Sequence, residues 1–196
     1  MNPYTFHINL YDPAFLGGIF IGLTFAPLLW FAKGISRSAN RYLALALTVV
    51  IAHLIWILGI DIRLDTYVPN WSLLPLQFSL ALGPLIFFYV LKIVRPEFKF
   101  RLQHLPHFLP LLLQLGAHLL EVKESVKAGT ATYSTPIFQQ LNPALQLLTF
   151  VSVTIYLHKS YRLIEQYYQS LKFKGADRYR FELRWLHRLL SGFGIL

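Results

Sequence analysis

Residues 66–91 contain no Asp, Glu, Lys, Arg or His. Most of this window belongs to residues 73–94, LLPLQFSLALGPLIFFYVLKIV, where the one charge is Lys92 near the end. At a rise of ~1.5 Å per residue such a stretch covers roughly 33 Å as a helix, enough to cross the hydrocarbon core of a bilayer. The sequence therefore predicts a membrane segment. Its Gly83-Pro84 pair predicts a kink, tolerated where neighbouring helices and side chains satisfy the freed backbone groups.

The rest of the chain agrees with that setting. Hydrophobic residues make up 55% and charged residues 14%, and the mean hydropathy is +0.48, outside the range of ordinary soluble domains. The expected fold is all-α, a polytopic membrane helical bundle. Cysteine is absent, which excludes disulfides, thiolate metal ligands and cysteine nucleophiles.

Five complete spans are predicted, at about 13–32, 42–60, 73–94, 102–120 and 137–157, so that residues 1–157 form the bundle. Gly18 and Gly22 share one face of the first span, where a neighbouring backbone can approach closely. Residues 61–71 and the Ser/Thr-rich stretch 121–136 read as polar loops, with Trp71 at an interfacial position. Residues 158–188 read as a basic, amphipathic helical connection in the cytoplasm. Residues 189–196 are apolar but too few to cross a membrane, and read as the start of a truncated sixth span.

Charge sorting gives the orientation. With the first tail outside, fifteen of the eighteen basic residues fall on the inner side, and only Arg63, Lys123 and Lys127 on the outer. This is the positive-inside pattern, and it accounts for the net charge of +9 without a nucleic-acid partner. The lipid bilayer is the partner the sequence demands.

Chemistry is sparse. His104 and His107 have the spacing of a helical metal pair, but Pro106 lies between them and no Cys or nearby carboxylate completes a set, so neither metal nor other cofactor is expected. No nucleophile elbow, paired carboxylate or phosphate-cradling glycine loop is present, and the chain does not read as an enzyme. Polar groups at membrane depth are costly and often functional, which makes His53 and His118 candidates for sensing or for an interhelical hydrogen bond. Beyond the fifth span, Leu157, Tyr161, Ile164, Tyr168 and Leu171 recur at spacings of four and three, one stripe of a helix continuing into the cytoplasm. That stripe is the candidate output element, suited either to a homodimer or to lying on the membrane surface.

Several short strings carry a family resemblance. Gly83-Pro84-Leu85-Ile86-Phe87-Phe88-Tyr89-Val90, then His107-Phe108-Leu109-Pro110, Asn40-Arg41-Tyr42-Leu43 and Leu183-Arg184-Trp185-Leu186 resemble the membrane-embedded N-terminal region of bacterial AraC-type transcriptional regulators. The resemblance singles out Gly83, Pro84, Tyr89, His107 and Pro110. It implies a sensory or anchoring region in the bacterial inner membrane, followed by a C-terminal helix-turn-helix domain that binds DNA. That domain is not within these 196 residues, so no DNA-contacting residue is carried over. The sensor region of a histidine kinase and a fragment of a small transporter or enzyme are the alternatives, and no pattern identifies the signal ligand.

Overall fold

A computed structural model describes residues 9–33, 37–68, 71, 74–128 and 136–173, and among them every regular element is helical. The tail before residue 9, the connection beyond residue 173 with its Leu183-Arg184-Trp185-Leu186 string, and the start of a sixth span lie outside the described residues.

Helices α1 (Asp12–Phe31) and α2 (Arg37–Asp61) form the first hairpin. Gly22 and Gly18 bring them together, since a β-carbon at Gly22 would run into Ile51 and one at Gly18 would sit 3.1 Å from Leu54. Ile19, Ala26 and Ile51 form the seam, flanked by Leu47, Leu54, Ile55 and Leu58. The opposite face of α1 presents Phe20, Ile21, Leu28 and Phe31 outward, with Phe20 and Phe31 more than 70% exposed. An apolar helix that leaves its largest side chains uncovered is built for lipid contact.

After α2 the chain turns through Leu64–Thr66, and Trp71 packs its indole against Gly59. Residues 74–78 are irregular, Ser79–Ala81 form one 3-10 turn, and α3 runs from Leu82 to Val94. The expected helix over 73–94 is thus corrected. Gly83-Pro84 does not kink a long helix but opens a short one, in the first turn where a missing N–H is harmless. Pro84 also disfavours helix upstream, because its ring would crowd the carbonyl four residues back, and Pro75 removes a further donor.

At the other end of α3, Lys92 donates from Nζ to the carbonyls of Pro96 and Phe98, 2.6 and 2.5 Å, and so closes the turn that follows. A lysine in a last helical turn suits both the free carbonyls and the negative end of the helix dipole. The segment folds back through the 3-10 stretch Leu102–Phe108 into α4 (Leu109–Ala128). Residues 121–128, expected in a loop, continue α4. The stretch Glu121-Val122-Lys123-Glu124-Ser125-Val126-Lys127-Ala128 has no Gly or Pro to stop a helix, and Glu124 pairs with Lys127 one turn on, at 3.1 Å. Helix α5 (Pro136–Phe173) is 38 residues long and unbroken, and packs alongside α3.

Among the described residues three helical segments are long and apolar enough to cross a membrane: Asp12–Phe31, Arg37–Asp61 and Leu102–Lys127. This points to membrane association through three such helices rather than five complete spans. The third expected span retains only Ser79–Val94 as apolar helix. The fifth carries Gln139, Gln140, Asn142, Gln146, Thr149, Ser152 and Thr154 within 137–157, polar enough to place α5 outside that set.

Candidate functional site

The most unusual feature of the bundle is where α3 begins. Ala81 and Leu85 pack against Ala46, the tenth residue of the 25-residue α2, so α3 starts partway down the bundle rather than at its end. The irregular backbone leading to it lies between the level of Ala46 and that of Gly59 at the far end of α2. Backbone groups freed at such depth need partners, since water is scarce there and each unmet group is costly.

Side chains from α4 and α5 supply them. Gln114 of α4 accepts the Leu80 N–H on Oε1 at 3.2 Å and donates from Nε2 to Ser79 Oγ at 3.1 Å. Ser79 Oγ lies 3.1 Å from Thr149 Oγ1 of α5, and the Thr149 hydroxyl donates to the Leu145 carbonyl at 2.8 Å. A hydroxyl has one proton. Because the Thr149 proton is committed to Leu145, Ser79 must donate to Thr149, and the direction of the whole chain is fixed from Gln114 through Ser79 and Thr149 to Leu145. Three elements are tied by one directed set of bonds.

One turn above, Gly83 lets α3 press on α5. A β-carbon there would stand 2.8 Å from a Tyr156 ring carbon and 3.3 Å from the Ser152 carbonyl. Tyr156 in turn meets His107, with its hydroxyl 2.9 Å from Nδ1. His107 packs on the rings of Phe87 and Phe88. Gly83 and Pro84 open α3, Pro110 sits in the first turn of α4, and Tyr89 is buried among Ala39, Val90, Leu163 and Ile164.

Below Gln114, successive turns of α4 carry His118 and Glu121, which face a cavity of about 20 Å³ shared with Gln77, Asn142 and Leu145. This is room for about one water molecule. The Glu121 side chain is only 9% exposed, its Oε2 lies 3.9 Å from His118 Nδ1, and its Oε1 has no hydrogen-bond partner. His53, the other expected sensing residue, does not line this cavity. It stacks on Trp56 one turn along α2 with centroids 6.4 Å apart, and its Nδ1 is buried without a hydrogen-bond partner.

The expected output stripe faces inward. Ile164 is fully buried against Ala39, Tyr89, Val90 and Val94, with Leu157 and Tyr168 packed beside it and Tyr161 half-buried. The side chain of Leu171 lies outside the described residues. The surface suggested for a homodimer is therefore occupied by α3 and the start of α2 of the same chain.

Gln77, Ser79, Gln114, Thr149 and Glu121 were not singled out by sequence. The usable signal was the presence of Gln77 and Gln114 in otherwise apolar runs, the same argument that pointed to the two histidines. Among the described residues no group of three or more His, Cys, Asp or Glu side chains is assembled. No family model, curated protein or solved structure matches the chain.

Proposed function

We propose that this chain is the membrane-embedded sensory and anchoring region of a transcriptional regulator, similar to those of AraC type, whose DNA contact is made by a domain beyond these residues. The observation that carries the reading is the course of α5. One face of this single helix holds Thr149 in the polar network, Ser152 and Tyr156 against Gly83, and Ile164 and Tyr168 against the end of α3. A rigid helix with two arrangements is the kind of element that carries a shift between distant sites. A signal that rearranges the broken segment at 74–81 thus reaches residue 173 without a flexible joint in between.

In this reading the chain crosses the bacterial inner membrane five times within residues 13–157, with its N-terminus outside. The short segment around α3 counts as a crossing because its irregular part is covered by α4 and α5. Lys33, Arg37, Arg41, Lys92, Arg95, Lys99 and Arg101 then face the cytoplasm, and Asp12 and Asp61 face outward. Output through a kinase domain instead of a DNA-binding one would use the same helix.

The test is a chimera in which a DNA-binding domain active only as a dimer follows residue 196. Replacing Ser79 with Ala, which cuts the network at its centre, is expected to shift reporter output severalfold at equal membrane abundance. Unchanged output at equal abundance rejects α5 as the relay. The discontinuous segment favours a second reading, a transporter fragment, because helices broken at depth often surround substrate sites in transporters. Solute uptake by proteoliposomes, lost in the same Ser79→Ala variant, would support that reading instead.

A further inference from the structure

The cavity beside Glu121 is not needed by the relay just described, and its chemistry points elsewhere. A buried carboxylate without a hydrogen-bonded partner is expensive, and proteins neutralise such a group with a cation, a proton or a strong donor. Here Oε1 has no hydrogen-bond partner, and Oε2 faces His118 Nδ1 at 3.9 Å, an ion pair only while that imidazole is protonated. Among the described residues no Lys or Arg lines the cavity. Lys127, the basic residue nearest along α4 after Lys123, is engaged with Glu124 at 3.1 Å, and Lys123 is exposed.

The polar part of the lining is amide and carboxylate, set beside His118 and the apolar Ala117, Leu141 and Leu145. Gln77 from the irregular segment, Gln114 and Glu121 from α4 and Asn142 from α5 bring three amide side chains and one carboxylate around a space for about one water. Carboxylate and amide oxygens are ligands for hard cations. A single negative charge balances a monovalent ion, whereas a divalent one would leave the buried site positive. With one carboxylate and one His, the set also lacks what a transition metal needs.

We infer that Gln77, Glu121 and Asn142 form a binding site for a sodium-sized monovalent cation, which clasps the irregular segment between α4 and α5. The inference stands apart from the regulator reading, since it requires only the cavity and its donors. Binding to the folded state alone raises stability by mass action, so occupancy is visible as a thermal shift.

The experiment melts the purified 196-residue chain in lipid nanodiscs across a sodium chloride series, with choline chloride holding ionic strength constant. The midpoint is expected to rise with sodium and to saturate. Glu121→Gln should remove that rise while circular dichroism shows an unchanged helix content. Asn142→Ala, which keeps the charge but removes one oxygen, should move the sodium midpoint to higher concentration without abolishing the shift, and it decides the matter if Glu121→Gln does not fold. Equal melting in sodium and choline overturns the site. So does a sodium-dependent shift that survives in Glu121→Gln and is unmoved in Asn142→Ala. A melting point that follows pH through Glu121 but ignores sodium makes the occupant a proton and also overturns it.

Discussion

The two ends of α3 are held by different means. Around its second half, Phe88 is fully buried and meets the rings of Tyr42, Phe87, Phe98, Phe100, His104, His107 and Phe108 at centroid distances of 5.3 to 5.9 Å. Most of these contacts are tilted, edge-on or offset, the arrangements that ring quadrupoles favour. At its start, by contrast, the 3-10 turn Ser79–Ala81 is held by the directed bonds from Gln114 to Thr149. Against lipid, apolar clustering gains little from the hydrophobic effect, so the aromatic end depends on fit and the polar end on bond direction. Fit resists change until it is broken, while a hydrogen-bonded chain has alternatives close in energy. The polar end is accordingly the better place for a switch.

The largest expected effect lies at the aromatic end. Phe88→Ala deletes the ring on which α2, α3 and the fold-back segment 98–108 all converge. A loss of about 3 kcal/mol is expected, as for large core truncations that leave a cavity. Unfolding in mixed micelles measures it. A loss no greater than that from truncating exposed Phe20 would show that the ring cluster is not the anchor of α3.

Glycine substitutions come next and compare the α3–α5 contact with open surface. Gly83→Val places its β-carbon within 2.8 Å of Tyr156 and 3.3 Å of the Ser152 carbonyl, where backbone must give way. Overpacking of this kind costs roughly 1 to 3 kcal/mol. Gly116→Ala is the matched control, because a β-carbon there meets nothing within 4 Å and α4 gains a better helix former. A small stabilisation, about 0.5 to 1 kcal/mol, is expected at that site. If both variants behave alike, close approach at Gly83 is not what seats α3 on α5.

How much of this was legible beforehand depends on which property is asked for. Apolar runs and charge gaps placed α1 and α2 within a few residues, and the Gly18, Gly22 face marked the hairpin seam, because these features are local. The unbroken course of α5 through residue 171 was also readable, since no Gly intervenes and Pro143 lies near its start. The break at 74–81 was not, because hydropathy measures apolarity and says nothing about whether apolar backbone is helical. Gly83-Pro84 was the right residue pair to notice, but its position relative to the helix start decided its meaning. The burial of Glu121 was equally hidden, since it needs Gln77 and Asn142 to close over a site that, read along the chain, looked like a loop. The inward direction of Ile164 likewise depends on where α3 ends.

Gln114→Leu tests the polar end directly. It leaves the Leu80 N–H without its acceptor and removes the donor to Ser79, at the depth where water is scarce. An unsatisfied buried amide costs about 1 to 3 kcal/mol, though a leucine that packs well on its neighbours recovers part of it. A loss of about 1 kcal/mol is expected, with faster amide exchange confined to residues 79–82. Exchange that quickens equally around Phe88 would mean the two ends are one cooperative unit.

The smallest effect is expected where the two ends meet. Tyr156 touches the polar end through the Gly83 contact and the aromatic end through His107, whose Nδ1 lies 2.9 Å from the Tyr156 hydroxyl. Tyr156→Phe keeps the ring that packs on Phe87 and deletes only that hydroxyl. Hydrogen bonds between helices in a membrane are worth about 0.6 kcal/mol on average, so the change should be of that order. The informative quantity is the coupling between Tyr156→Phe and Ser79→Ala in a double-mutant cycle. Ser79 and Tyr156 are linked through the Thr149 to Tyr156 stretch of α5 rather than by a direct hydrogen bond. If α5 moves as one body, loosening its contact at either place lessens the cost at the other, and the two losses sum to more than the double mutant shows. Strict additivity would mean that α5 bends between Thr149 and Tyr156, and the two ends of α3 would then be independent after all.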